Sequence, residues 1–338
     1  MHESNTEPRQ SSGEIGHLPA TGPERAIDAH AHVYPAAYLD FLVAHGRPES
    51  EVAIARDLGA DSTPADMDRR VEWMDRAGVA AQIIAATPQS PGLPDRLHSR
   101  DAARMINDDY ARLLGEYRGR FLAYGALPLP HVDESLGEVE RVFGELGFAG
   151  ISLPTVGQGG MFLDDPRLDS VWEALDEHGA VVNVHPTGCG ALSPMLSEAS
   201  LEWVNGAPVE DATATLQLLK ADVPRRFPGI TFHIAHLGGD LPFLAQRIED
   251  NYEDWAAFPA SPLAQLRRMY FDAANFHEPS LRLAVETFSA ARILGGSDFP
   301  YFQQEKYVRA FSYIRDAALP QSDIDDILFG NARVLYGR

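Results

Sequence analysis

Eight short apolar runs, separated by stretches of helical periodicity, limit what this chain of 338 residues can fold into. They occupy residues 26–33, 80–86, 121–127, 149–153, 181–185, 230–236, 269–273 and 292–296. Between them apolar residues recur at helical spacing, as in Met67, Val71 and Met74 before the second run and Leu168, Val171, Trp172 and Leu175 before the fifth. Strands that are almost continuously apolar are covered on both faces, which points to a parallel sheet with helices outside. Eight such units close into a (β/α)8 TIM barrel, a fold that commonly takes ~250 residues. An open doubly wound sheet is the alternative, but no Gly-x-Gly-x-x-Gly follows the first run. The expected organisation is α/β, with one barrel domain over 26–338. Residues 1–25, polar and rich in Gly, Pro and Ser, are expected to be a flexible leader in which His2 and His17 are solvated.

The first run holds His30 and His32 two residues apart, so a regular strand points both imidazoles to one face. Two imidazoles closed together lose hydration unless something uses their lone pairs, and a divalent metal is the usual user. In a barrel, chemistry gathers where strands end and the following loops begin. His185 ends the fifth run before Pro186, His236 ends the sixth before Leu237-Gly238-Gly239, and Asp298 follows the eighth. Imidazoles with a carboxylate are the donors a borderline metal such as zinc takes. Each residue alone has a plainer reading, His185 as a core histidine and Asp298 as a helix cap; their joint arrival at one barrel face favours the metal. His233, three residues before His236, is expected on the opposite face under the helices, with no role. Asp272 reads as a structural group inside its strand. Asp28 shares the parity of His30 and is expected in the barrel interior one layer deeper. His45, His98, His131, His178 and His277 fall in loops or helix ends and are expected to be solvated.

Acidic residues number 49 against 28 basic ones, for a net charge of -21. That balance argues against nucleic acid and anionic membrane as partners, though a local arginine can still receive an anionic substrate. The single cysteine, Cys189, excludes a disulfide framework and makes a reducing cytoplasm the expected setting. No apolar run approaches the ~20 residues of a membrane span, and the N-terminus lacks a secretory apolar core. Two long loops, 47–64 and 187–208, are expected to build the substrate site.

Taken together, His30-x-His32, His185, the His236-x-Gly-Gly turn and Gly296-Ser297-Asp298-Phe299-Pro300 resemble the amidohydrolase superfamily. The likeness is to the metal-dependent barrels of its branch containing aminocarboxymuconate semialdehyde decarboxylase. It runs from about Ile27 to Gly337 and includes Ala207-Pro208, Arg226-Phe227-Pro228 and Gly330-Asn331-Ala332. The resemblance implies one divalent ion, zinc first and manganese second, on His30, His32, His185 and Asp298. It makes His236 the general acid/base, with Asp298 assisting. Arg247 would reach into a neighbouring subunit to hold a substrate carboxylate, which implies a homodimer or higher homo-oligomer. Tyr301 would border the site, and Arg56 or Arg47 would supply a second carboxylate contact from the first long loop. The fourth run, with no lysine at Ile151-Ser152-Leu153, implies a single metal. Thr187 and Leu237 depart from the branch's Trp and Gly, and the His-Pro-Thr segment is closer to members described as 6-methylsalicylate decarboxylases. The implied activity is non-oxidative decarboxylation of a small unsaturated or aromatic acid. Metal-dependent hydrolysis or hydration of a lactone, ester or amide is the alternative, and a non-catalytic metal-binding role the third.

Overall fold

The computed structural model describes residues 25–337; the expected leader lies outside the described residues apart from Arg25. Eight parallel strands form one sheet: β1 Ala26–His32, β2 Val79–Ala85, β3 Phe121–Ala126, β4 Gly150–Pro154, β5 Val181–His185, β6 Thr231–Ile234, β7 Tyr270–Asp272 and β8 Ile293–Leu294. Neighbours in that order pair all the way across. The stretch after β8 closes the ring on β1, through Ala29 N to Gly295 O at 2.8 Å and His32 N to Phe299 O at 2.7 Å. A helix follows each strand, at Pro64–Ala77, Arg96–Glu116, Val132–Arg141, Asp169–Glu177, Ala207–Lys220, Leu241–Trp255, Glu278–Phe288 and Glu305–Arg315. The result is the TIM barrel expected from the alternation.

Local chemistry sets the helix ends. Thr63 caps Pro64–Ala77 by accepting the Asp66 N–H, Pro64 stands in the first turn, and Gly78 ends the helix in the left-handed conformation. Asp95 caps Arg96–Glu116 through the amides of Leu97 and His98. Apolar faces bury between sheet and helices, around Trp172, Tyr110, Phe271 and Phe288. A second apolar group fills the barrel interior with Ile27, Ala29, Ile83, Leu122 and Leu294, closed below by Leu335 and Tyr336 of the C-terminal helix. A two-stranded ribbon, Val156–Gly157 with Met161–Phe162, rises from the loop after β4.

One irregularity in β1 decides which way its side chains point. Asp28 pairs with Gln82 and Ala31 with Ile84, so β1 spends three steps where β2 spends two. That extra residue is a bulge, and it breaks the alternation. Ile27 and Ala29 pack in the interior, yet His30 and His32 also face inward. Asp28 therefore turns out of the barrel, against expectation. It is buried between strand and helices, where it accepts from Gln82 Nε2 at 2.7 Å, Ser297 Oγ at 2.6 Å and Tyr307 Oη at 3.2 Å. Arg70 is buried in the same layer and donates to Gln82 and to the His32 carbonyl at 2.7 and 2.6 Å, which braces β1 from behind.

Candidate metal centre and active site

At the C-terminal ends of the strands, His30, His32, His185 and Asp298 are all buried and offer one ligand atom each within 4.8 Å of one another. The imidazole rings meet edge to face, with centroids 4.8 to 5.1 Å apart. Hydrogen bonds behind the rings aim their lone pairs. His185 Nδ1 donates to the Pro186 carbonyl at 2.8 Å, and a carbonyl only accepts, so Nε2 carries a lone pair. Among the described residues that buried Nε2 has no hydrogen-bond partner, and neither has Nε2 of His30, whose Nδ1 faces Asp272 at 2.9 Å. Asp298 Oδ1 lies 3.2 Å from His32 Nε2 and 3.5 Å from His30 Nε2. Orphaned lone pairs converging beside a carboxylate are costly unless a cation takes them. Gly296 permits the approach, since a Cβ there would stand 3.1 Å from His30 Cβ and 3.0 Å from Asp272 Cβ.

Charge states suit the same purpose. Burial pushes the His32 pKa down to about 4, and burial followed by the neighbouring imidazoles holds His185 well below its usual value. Both are neutral at pH 7, as ligation requires. Burial acts to raise Asp298, but the neighbouring imidazoles, His236 and His32 first, outweigh it and keep the carboxylate ionised. One divalent metal ion fits this donor set.

A family model described as "Amidohydrolase" matches residues 27–338. The chain belongs to the amidohydrolase family. Among characterised relatives, 2-amino-3-carboxymuconate-6-semialdehyde decarboxylase of Dictyostelium discoideum is 29% identical over 71% of this chain and 68% of its own length. The 6-methylsalicylic acid decarboxylase of Penicillium expansum is 26% identical over 92% of this chain and 96% of its own. A solved dihydroxybenzoic acid decarboxylase from Polaromonas sp. JS666, with bound manganese and 2-nitroresorcinol, superposes with a TM-score of 0.78 at 22% identity, covering 92% of this chain and 96% of that one.

In this amidohydrolase, the fifth strand-end group, His236, stands beside the four donors. Its Nε2 is 3.6 Å from Asp298 Oδ2, and its Nδ1 is 2.8 Å from Asp211 Oδ2 on the helix after β5. Sequence reasoning missed Asp211, because a single aspartate within a helix carries no local sign of its partner. Burial raises Asp211 to about 7. Burial also disfavours charge on His236, but Asp211, then Asp298, raises its pKa well above the ordinary value, so the pair retains a proton between them. His236, Leu237 and Gly238 all have positive φ. Gly239 completes the turn, where a Cβ would lie 1.9 Å from the Pro208 carbonyl oxygen.

That turn also corrects the reading of His233. Because β6 ends at Ile234, strand parity does not extend to His236, and His233 points into the barrel rather than under the helices. Asp272 is the last residue of β7 and reaches both His30 and His233, at 2.9 and 3.0 Å. His45 and His131 are half-buried and bonded to the carbonyls of Phe41 and Leu93, so they are not simply solvated.

A cavity of about 490 Å³ opens above His185, His236 and Asp298. Trp203, Phe276, Tyr301 and Phe302 line it, and among the described residues Arg309 is the only Arg or Lys in its lining. The Trp203 and Tyr301 rings stack with centroids 6.4 Å apart, and Tyr301 Oη bonds Tyr34 Oη at 3.1 Å. Arg309 escaped the sequence reading because it sits one turn into the last barrel helix, away from any strand end. Arg247 does not line this cavity but lies exposed on Leu241–Trp255. Arg56 is engaged with Glu49 at 2.7 Å and Asp40 at 2.9 Å. Arg47 lines an adjoining chamber that shares Ile54 and Trp203 with the metal cavity.

Proposed function

We propose that this chain is a metal-dependent carboxy-lyase that removes CO2, without oxidation, from a small hydroxylated aromatic acid. The observation that carries the reading is His236: an imidazole outside the four-donor cluster, backed by a buried carboxylate and facing an aromatic-lined cavity. The decarboxylase relatives support it. The ring would lie among Trp203, Tyr301, Phe276 and Phe302, with its carboxylate toward the donor cluster. A bound divalent ion supplies positive charge there, with zinc the first choice for three imidazoles and a carboxylate and manganese the second. His236 Nε2–H gives a proton to the ring carbon bearing the carboxylate. The bond to the carboxylate carbon then breaks, its electron pair returns to the ring, and CO2 leaves. Asp211 holds the imidazole through Nδ1 and stabilises its charged form. The aromatic walls exclude water that would compete for the proton.

His236 must be protonated to donate, so its contribution is present below its pKa and lost as pH rises through it. Asp211 raises that pKa. Asp211→Asn is therefore expected to move the alkaline limb of the kcat profile to lower pH, and an unmoved limb would remove Asp211 from the reaction.

We place the active unit as at least a dimer. Phe243, Arg247 and Trp255 fall on one stripe of their helix, and the two aromatics are 79% and 76% exposed, an apolar surface that a second copy would cover with Arg247 at its centre. Arg247→Ala is expected to leave metal content unchanged and raise KM for the acid several-fold; unchanged kinetics would show that the arginine has no part in binding. Arg309→Ala is expected to do the same from within the subunit, and equal KM in parent and variant would exclude it. On its single cysteine we assign the protein to a reducing cytoplasm.

The deciding experiment is CO2 release by zinc- or manganese-loaded protein from a panel of ortho-hydroxybenzoates and unsaturated dicarboxylates. Release from one member, abolished in His236→Asn, establishes the activity. Silence across the panel with turnover of a neutral lactone or ester would instead make the protein a hydrolase.

A further inference from the structure

Barrel interiors are usually filled by layers of aliphatic side chains, but here a row of polar groups crosses the interior below the ligand cluster. Tyr336, on the C-terminal helix that closes the far end, places its hydroxyl 2.5 Å from that of Tyr124. Tyr124 Oη lies 2.9 Å from His233 Nδ1. His233 Nε2 is 3.0 Å from Asp272 Oδ2, and the same oxygen is 2.9 Å from His30 Nδ1. Tyr124, His233 and Asp272 are fully buried, so each must find its partners inside the protein.

The row has a direction. Asp272 Oδ1 accepts the backbone N–H of His236 at 3.2 Å and of Ala274 at 3.1 Å. An ionised carboxylate offers only acceptors, so both ring nitrogens facing Oδ2 carry hydrogen. For His30 this leaves Nε2 free to ligate. For His233 it leaves Nδ1 as an acceptor, and two donors converge there: the Tyr124 hydroxyl and the Asn183 amide at 3.4 Å. The amide is oriented from its other end by Ser152, whose hydroxyl donates to Asn183 Oδ1 at 2.7 Å. Tyr124, having given its hydrogen to His233, accepts from Tyr336.

We propose that His233 is a positioning residue for the metal centre: its Nε2–H pins the Asp272 carboxylate that holds both the ligand His30 and the backbone of His236, and Tyr124 and Tyr336 hold its tautomer from the closed end of the barrel. A carboxylate shared between two imidazoles cannot rotate away from either. Losing the His233 donor frees Oδ2 to turn, and His30 then loses the support that sets its ring plane. Groups of this kind behind a ligand are worth about 10- to 100-fold in metal affinity.

The proposal rests on His30 being a ligand, and two measurements separate the claims. In metal-free protein carrying 15N-labelled histidine, NMR is expected to place the His233 proton on Nε2 with Nδ1 accepting; the opposite tautomer or a doubly protonated ring overturns this proposal alone. Zinc affinity, by competition with a chelator, is expected to fall about tenfold in His233→Leu. Most of that loss should return in His233→Gln, whose amide can donate to Asp272 and accept from Tyr124. Unchanged affinity in His233→Leu overturns the proposal, and absence of zinc binding by the parent chain overturns the ligand reading together with it. If His233→Leu does not fold, Tyr124→Phe, which deletes one hydroxyl, is expected to shift the His233 nitrogen resonances toward mixed tautomers; unmoved resonances refute the coupling.

Discussion

His236→Asn is expected to keep its metal and its fold and to lose turnover by ~10²-fold or more, the loss that follows removal of a general acid/base. The imidazole is not one of the four clustered donors, so metal content measured by elemental analysis should match the parent. Asparagine can still bond to Asp211, and the local structure has no reason to collapse. It has no proton to give at neutral pH, however, and among the described residues the cavity lining holds no other acid of comparable strength. CO2 release under saturating substrate is the measurement. Near-normal rates would show that the proton comes from elsewhere and would take His236 out of the mechanism.

The second large effect concerns the metal. Chelation is expected to lower the thermal midpoint, because an ion that binds only the folded state stabilises it; the effect is about 4 kcal/mol when the free ion stands at roughly 1,000 times its Kd. In His185→Ala the difference between loaded and chelated protein should vanish, together with turnover. The reason lies in the tautomer. His185 commits Nδ1–H to the Pro186 carbonyl and leaves a buried Nε2 lone pair with no hydrogen-bond partner among the described residues. With that donor gone, two imidazoles and a carboxylate remain, too few to hold zinc in a closed tetrahedral set without extra water. Stoichiometric metal and an intact chelation response in His185→Ala would remove His185 from the ligand set.

Much of the site was legible in the chain because barrel chemistry lies at strand ends, and strand ends can be read from where apolar runs stop. His32, His185 and Asp298 were found that way, and the structure brings them to one point. The substrate contacts were less legible. Arg247 and Arg56 do not line the cavity of their own subunit, while Arg309, which does, lies on a helix whose amphipathic pattern says only which face is buried. Asp211 was hidden for the same reason, since helical periodicity does not reveal which loop a polar group on the inner face will meet.

Side-chain direction marks the boundary between the two. Alternation along a strand placed His30 and His32 together, but the same rule put Asp28 and His233 on the wrong faces. A one-residue bulge after Asp28, set by pairing with the neighbouring strand, and the left-handed turn that begins at His236 each reset the parity. The sequence by itself determined the barrel and most of the clustered imidazole and carboxylate groups, because burial on both faces and position at a strand end are properties of short stretches. Only the tertiary structure decided which groups stand behind that cluster and behind His236: Asp272 reaches His30, His233 reaches Asp272 and Asp211 reaches His236, from separate strands and helices and through contacts that no local pattern encodes.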